Sequence, residues 1–236
     1  MRGLALVPET ANPAPAQRIR DVWMNLPNGL TVARIIVTPA IAALPFVDSA
    51  TLRFTAFVLF LAAAITDWFD GYLARTRKQE TDLGRILDPL ADKLLLVGTF
   101  VPMYFLSHTL PFITPYGDYD LPWWVVAIIL GREVTMTWFR QFAAKRGVVI
   151  AAIWPAKWKT GIQLVWSGAA YFWFGVATLM VERGWTGPIS RTIGMICGTV
   201  GAVSMLLAIA LTLYSLYVYM RDYGYLFRMP PVAQRG

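Results

Sequence analysis

The chain has 236 residues, 57% of them hydrophobic and 15% charged, with a formal net charge of +7 and a mean hydropathy of +0.52. Soluble domains run nearer to about 45–50% apolar and about 25% charged, so these figures exclude an ordinary water-soluble globular protein and predict an all-α polytopic membrane protein. The basic balance does not imply nucleic acid, because the Lys and Arg residues fall between apolar stretches, where they act as topology signals.

In chain order, Met1–Pro15 lacks the apolar core of a cleaved signal peptide and reads as a short tail. Gln17–Leu26 alternates bases with Ile19, Val22, Trp23 and Leu26 at helical spacing, which predicts an amphipathic helix lying on an anionic membrane face. Six apolar stretches follow, near Leu30–Val47, Leu52–Arg75, Arg85–Leu106, Pro122–Arg140, Thr160–Val181 and Ile189–Met220. Each is long enough to cross a hydrocarbon core of about 30 Å, and the last is longer than needed. The resulting division is 1–27 tail and juxtamembrane helix, 28–222 six-helix membrane domain and 223–236 C-terminal tail.

With the N-terminus inside, fifteen Lys and Arg residues fall on the cytoplasmic side, among them Arg75, Arg140, Lys157 and Lys159, against only Arg53, Arg183 and Arg191 outside. That asymmetry predicts both termini in the cytoplasm of a bacterial-type inner or plasma membrane. The outer segment Ser107–Asp120 holds the lone His108, read as solvated. Trp123-Trp124 and Tyr217/Tyr219 read as interfacial belts, and the single Cys197 as a small apolar residue. Gly194, Gly198 and Gly201 give the sixth span a small-residue face suited either to a dimer or to bundle packing.

Against this apolar background stand four acids. Asp67 and Asp70 lie three residues apart, Asp88 and Asp92 four apart, so each pair shares a helix face. Asp67 lies about 22 Å along a span entering from outside, and Asp88 and Asp92 occupy the first two turns of the next span, so both pairs reach the same depth near the cytoplasm. Carboxylates at membrane depth are expensive and functional by default. Four together need raised pKa values or bound cations, and oxygen-only donors suit Mg2+ or Mn2+. Two such ions clamp the attacking and leaving oxygens of a phosphoryl displacement. Gly71, Ala74 and Gly84 remove bulk beside them, and Arg75 offers a planar fork to a phosphate.

The spacing Asp67-x2-Asp70-Gly71-x2-Ala74-Arg75-x8-Gly84-x3-Asp88-x3-Asp92 resembles the signature of the CDP-alcohol phosphatidyltransferase family at every defined position. The resemblance implies a six-span homodimeric enzyme of phospholipid biosynthesis, embedded among membrane lipids, that joins a CDP-linked lipid to an alcohol and releases CMP. It implies that Asp67, Asp70, Asp88 and Asp92 bind two metal ions and that Asp92 also takes the proton of the attacking hydroxyl. Asn28, Thr31, Asp70, Gly71, Ala74, Arg75 and Gly84 would then hold the CDP-lipid.

Flanking segments resemble the branch that uses CDP-diacylglycerol as donor and sn-glycerol 3-phosphate as acceptor: Asn28-x2-Thr31-x2-Arg34, Asp88-Pro-Leu-Ala-Asp92-Lys93, Arg132-Glu133 and Trp154-x2-Lys157-x-Lys159-Thr160. An anionic acceptor needs cationic partners, and Arg132, Arg140, Lys157 and Lys159 are the candidates. For Arg132, pairing with Glu133 or an aspartate is the competing reading. Rivals are a cardiolipin synthase or a serine or inositol-phosphate transferase of the same family, an intramembrane prenyltransferase, and a cation transporter. Against the transporter, the acids cluster at one end of two helices and do not line a path at the midplane.

Overall fold

The computed structural model describes residues 26–77, 82–151, 153–185 and 187–228, with side chains described for these except 26, 27, 68–77, 82, 83, 85, 86, 155 and 157. The predicted amphipathic helix and both tails lie outside this range, apart from Leu26 and residues 223–228. Six long helices make up the described chain: α1 (Leu26–Ala43), α2 (Ala50–Arg77), α3 (Asp82–Ser107), α4 (Trp123–Ala144), α5 (Trp154–Arg183) and α6 (Pro188–Tyr223). No strand forms among the described residues, only an isolated antiparallel bridge between Phe112 and Tyr119.

All helices except α4 are long and apolar enough to cross a membrane, which makes this an integral membrane protein. The exception carries Arg132, Glu133 and Arg140 along its length. Proline and glycine punctuate the ends. Pro122 and Ile153 sit in extended conformation before α4 and α5. Gly184, at φ 61°, adopts the left-handed conformation that closes α5, with its N–H directed to the carbonyls of Met180 and Val181.

Lipid supplies no hydrophobic force between helices, so close packing and interhelical hydrogen bonds hold the bundle. Aromatic contacts fill its centre: Phe60 stacks on Tyr171 at 5.7 Å, and Phe100 meets Trp166 edge-on at 5.0 Å. Glycine lets backbones approach. A Cβ on Gly98 would stand 2.8 Å from Thr38 Cγ2, so α3 lies directly against α1. The Tyr171 hydroxyl donates to the Gly98 carbonyl at 3.2 Å and ties α5 to the same point.

The end of the bundle away from the aspartates is polar and closely tied. Buried Arg53 donates to the Pro45 carbonyl at 2.8 Å, to Asp48 at 2.7 Å and to the Thr178 hydroxyl. Glu182 accepts the Ala50 N–H at 2.8 Å, satisfying one of the open donors at the start of α2. His108 is not simply solvated, because its Nε2 stands 3.2 Å from Asp120 and its ring meets Tyr104 edge-on.

The small-residue face of α6 turns inward. A Cβ on Gly198 would stand 1.9 Å from the Ile113 carbonyl, and the Tyr119 hydroxyl donates to the Gly198 carbonyl at 3.2 Å. Gly194 likewise abuts Trp173. Of the two uses open to this stripe, the structure shows packing within the chain. Cys197 is buried beside it, as expected of a small apolar residue.

Trp123, Trp124 and Tyr217 are exposed near helix ends, where a belt places them. Tyr219 is different: it is fully buried, donates to the Ala151 carbonyl at 3.3 Å and accepts the Ile153 N–H at 3.3 Å. It fastens the α4–α5 connection to α6. The C-terminal turn Gly224–Arg228 folds back beside it, with Phe227 stacked on Phe139 at 5.5 Å.

Candidate active site

Helix α2 carries Asp67, Asp70, Gly71, Ala74 and Arg75, and α3 carries Gly84, Asp88 and Asp92. Both pairs stand on helices at the same end of the bundle, as their spacing predicts. Asp67 and Asp92 converge: each directs Oδ1 to the same nitrogen, Nη1 of Arg34 on α1, with Asp92 at 3.3 Å and Asp67 closer. The third described acid, Asp88, accepts from the Thr31 hydroxyl at 2.8 Å. Asn28, Thr31 and Arg34 are all buried, three residues apart along one side of α1.

Arg34 is 3% exposed while both its aspartate partners are about half-exposed. A buried guanidinium therefore faces carboxylates that open toward a cavity. Sequence reasoning quoted Arg34 only as part of a flanking pattern. The signal for it was present: a lone arginine inside an apolar span calls for a partner by the same rule that picks out the aspartates.

The cavity has a volume of about 160 Å³ and lies between α2, α3, α4 and α5. Asp67, Asp92 and Lys93 line one side, and Glu133, Lys159, Thr160 and Gln163 the other, with Phe60, Phe100, Leu95 and Leu164 among the apolar lining. Lys159 is 2% exposed and pairs with Glu133 Oε1. The same oxygen accepts from Arg132 Nη1 at 2.9 Å, while Arg132 Nη2 donates to Ser215 at 3.1 Å.

The four cationic candidates thus separate. Lys159 lines the cavity. Arg132 is buried behind it, bound by Glu133 and Ser215 with its guanidinium 6.0 Å from the Tyr219 ring centroid, and is absent from the cavity lining. Arg140 is exposed on α4. The side chain of Lys157 lies outside the described residues, as do those of Asp70, Ala74 and Arg75 and the surroundings of Gly71.

The donors near the cavity are carboxylate oxygens, the chemistry of a hard divalent cation. Asp67 and Asp92, from different helices, share one Arg34 nitrogen and are both about half-exposed on the cavity wall, so two carboxylates of the kind such an ion takes stand side by side there. Among the described residues no group of three His, Cys, Asp or Glu side chains forms a metal site.

The model of the CDP-alcohol phosphatidyltransferase family matches residues 24–221. The chain belongs to this family. Among curated relatives, CDP-diacylglycerol–glycerol-3-phosphate 3-phosphatidyltransferase 2 of Arabidopsis thaliana is 36% identical over 65% of this chain and 66% of its own length. The Rickettsia typhi protein named CDP-diacylglycerol–glycerol-3-phosphate 3-phosphatidyltransferase is 32% identical over 84% of this chain and 96% of its own. A rice protein named cardiolipin synthase (CMP-forming) is 29% identical over 84% of this chain and 57% of its own. The match thus spans just under two thirds of the Arabidopsis relative and nearly all of the Rickettsia one.

Proposed function

We propose that the protein transfers the phosphatidyl group of CDP-diacylglycerol to sn-glycerol 3-phosphate, giving phosphatidylglycerol phosphate and CMP. The observation that carries this reading is the single cavity that has Asp67 and Asp92 on one wall and Lys159 on the other. Carboxylates suit a diphosphate held through divalent cations, and a buried ammonium suits the phosphate of a small acceptor. The names of the Arabidopsis and Rickettsia relatives support the same donor and acceptor.

In this reading the acceptor lies with its phosphate toward Lys159 and its primary hydroxyl toward Asp92. Asp92 takes the hydroxyl proton as the oxygen attacks the lipid-bearing phosphorus. A new P–O bond forms there, the bond to the CMP phosphate oxygen breaks, and CMP leaves with the electron pair. Arg34 holds Asp67 and Asp92 together from behind, and Thr31 orients Asp88. Asp67, Asp70, Asp88 and Asp92 would hold Mg2+ or Mn2+, two ions per site, which when bound neutralise charge on the diphosphate. Asn28, Gly71, Ala74, Arg75 and Gly84 serve the CDP-lipid, and the active form is a homodimer with its site open to the cytoplasm.

The rice relative favours a second reading, a cardiolipin synthase using phosphatidylglycerol. The buried Lys159 on the cavity wall favours the dianionic phosphate of glycerol 3-phosphate over the singly charged phosphodiester of phosphatidylglycerol. The test is CMP release by purified protein supplied with CDP-diacylglycerol, Mg2+ or Mn2+, and each acceptor in turn. Release with glycerol 3-phosphate is expected. Release only with phosphatidylglycerol, serine or inositol phosphate would overturn the acceptor, and no release with any would overturn the reaction. Asp92→Asn should fold yet lose about 10²- to 10⁴-fold in turnover.

A further inference from the structure

The wall of the cavity formed by α5 carries three polar side chains that the proposed reaction leaves without a task, Thr160, Gln163 and Ser167, and Gln163 is the one with a buried, unpaired donor. Lys159, Gln163 and Ser167 follow one another at four-residue intervals, so they share a face of α5, and all three line the cavity. Lys159 is paired with Glu133. Gln163 is 4% exposed, and its amide nitrogen has no hydrogen-bond partner among the described residues. An amide desolvated in this way destabilises the empty site, and a ligand oxygen that meets it removes the penalty.

The position of Gln163 says which ligand oxygen. Counted from the helix ends nearest the site, Asp67 and Asp92 each lie about ten residues in and Gln163 about nine, roughly 14–15 Å at 1.5 Å per residue. Lys159 lies one turn nearer the end, about 6 Å from the level of Gln163. Gln163 therefore stands about as far along its helix as the aspartates along theirs and lines the same cavity, while Lys159 stands one turn nearer the helix end. A three-carbon polyol phosphate laid from Lys159 toward Asp92 brings its middle carbon past Gln163.

We propose that Gln163 is a specificity-determining residue that hydrogen-bonds the secondary hydroxyl of the acceptor, so that the site selects a polyol phosphate over a phosphate with a plain alkyl chain. This rests on the reading that the acceptor is glycerol 3-phosphate with its phosphate at Lys159. Sites built to hydrogen-bond a hydroxyl reject analogues lacking it, because the protein group is then left unpaired.

The test compares glycerol 3-phosphate with 3-hydroxypropyl phosphate, which keeps the phosphate and the attacking hydroxyl but lacks the secondary one. CMP release gives kcat/KM for each acceptor with the unmodified enzyme, Gln163→Leu and Gln163→Asn, and the KM for CDP-diacylglycerol is measured alongside. The unmodified enzyme should prefer glycerol 3-phosphate by about tenfold or more. Gln163→Leu should lose about tenfold with glycerol 3-phosphate and little with the analogue, bringing the ratio toward one. Gln163→Asn, which keeps a shortened amide, should fall between and serves if the leucine variant does not fold.

Equal use of both acceptors by the unmodified enzyme would overturn the proposal. So would a ratio unchanged by substitution, or an effect confined to the KM of CDP-diacylglycerol, which would place the amide on a lipid oxygen. Failure of the underlying reading looks different: the unmodified enzyme would release no CMP with glycerol 3-phosphate, and both conclusions would fall together.

Discussion

Arg34 is the residue on which the site's charge balance turns. Its guanidinium is the one positive group shared by Asp67 and Asp92 among the described contacts, and it is buried while they are half-exposed. Replacing it with Met leaves two facing carboxylates without their cation. Full burial of such a broken pair would cost about 3–5 kcal/mol, and the exposure of the aspartates reduces this to about 1–2 kcal/mol. Arg34→Met should therefore fold with a lowered melting temperature and lose at least about tenfold in CMP release. The added negative potential should also lower the Mg2+ concentration needed for half-maximal activity. A higher Mg2+ requirement would count against Arg34 as the counter-charge.

At this scale the sequence was informative where a residue's cost was visible in one dimension. The aspartates stand out because carboxylates do not belong in apolar spans. The acceptor cations were not separable in the same way, since Arg132 and Lys159 look alike in sequence. What distinguishes them is Ser215, 83 positions from Arg132, and the single Glu133 oxygen that both share. Tyr219 misled for a related reason: it resembles its exposed neighbour Tyr217, and only the loop at Ala151 and Ile153 explains its burial.

The helices themselves follow the predicted spans to within a few residues, with one informative exception. Helix α5 begins at Trp154, ahead of the predicted Thr160, because Lys157 and Lys159 read as a polar flank although they belong to its first turns. Charge near a helix start shortens the stretch that hydropathy picks out, although Lys159 is paired with Glu133 of the neighbouring helix α4. Close approach between helices is likewise not written in hydropathy. Gly98→Val would drive two methyl groups into Thr38 and push α1 from α3, separating Arg34 from Asp92 and Thr31 from Asp88. It should lose activity out of proportion to any loss of folded protein, measured as CMP release per milligram alongside thermal unfolding. Gly198→Ala meets backbone at the Ile113 carbonyl and should mainly lower the melting temperature, since that contact lies at the far end from the aspartates.

For the molecule as a whole, the prediction concerns which way it faces in the membrane. The proposed orientation puts the aspartate end and the α4–α5 connection in the cytoplasm and the α3–α4 loop outside. Two fully or largely exposed positions test it: Tyr116, 100% exposed in the α3–α4 loop, and Val149, 88% exposed in the α4–α5 connection. In a Cys197→Ser background, a membrane-impermeant thiol reagent should label Tyr116→Cys in intact cells and Val149→Cys only after lysis. The reverse pattern would turn the protein over and take the cytoplasmic site with it.

The ion pair between Arg34 and Asp67 also bears on how such a chain enters the bilayer at all. α1 and α2 are joined by only the short 3-10 turn Leu44–Phe46 and three further residues, so they form an antiparallel hairpin. Each helix alone would carry an uncompensated charge into hydrocarbon, a cost of several kcal/mol. Inserted as a hairpin, the two charges arrive already neutralised by each other, before α3 brings Asp92. The contact that steadies the site would thus also lower the cost of bringing the first two helices into the bilayer together.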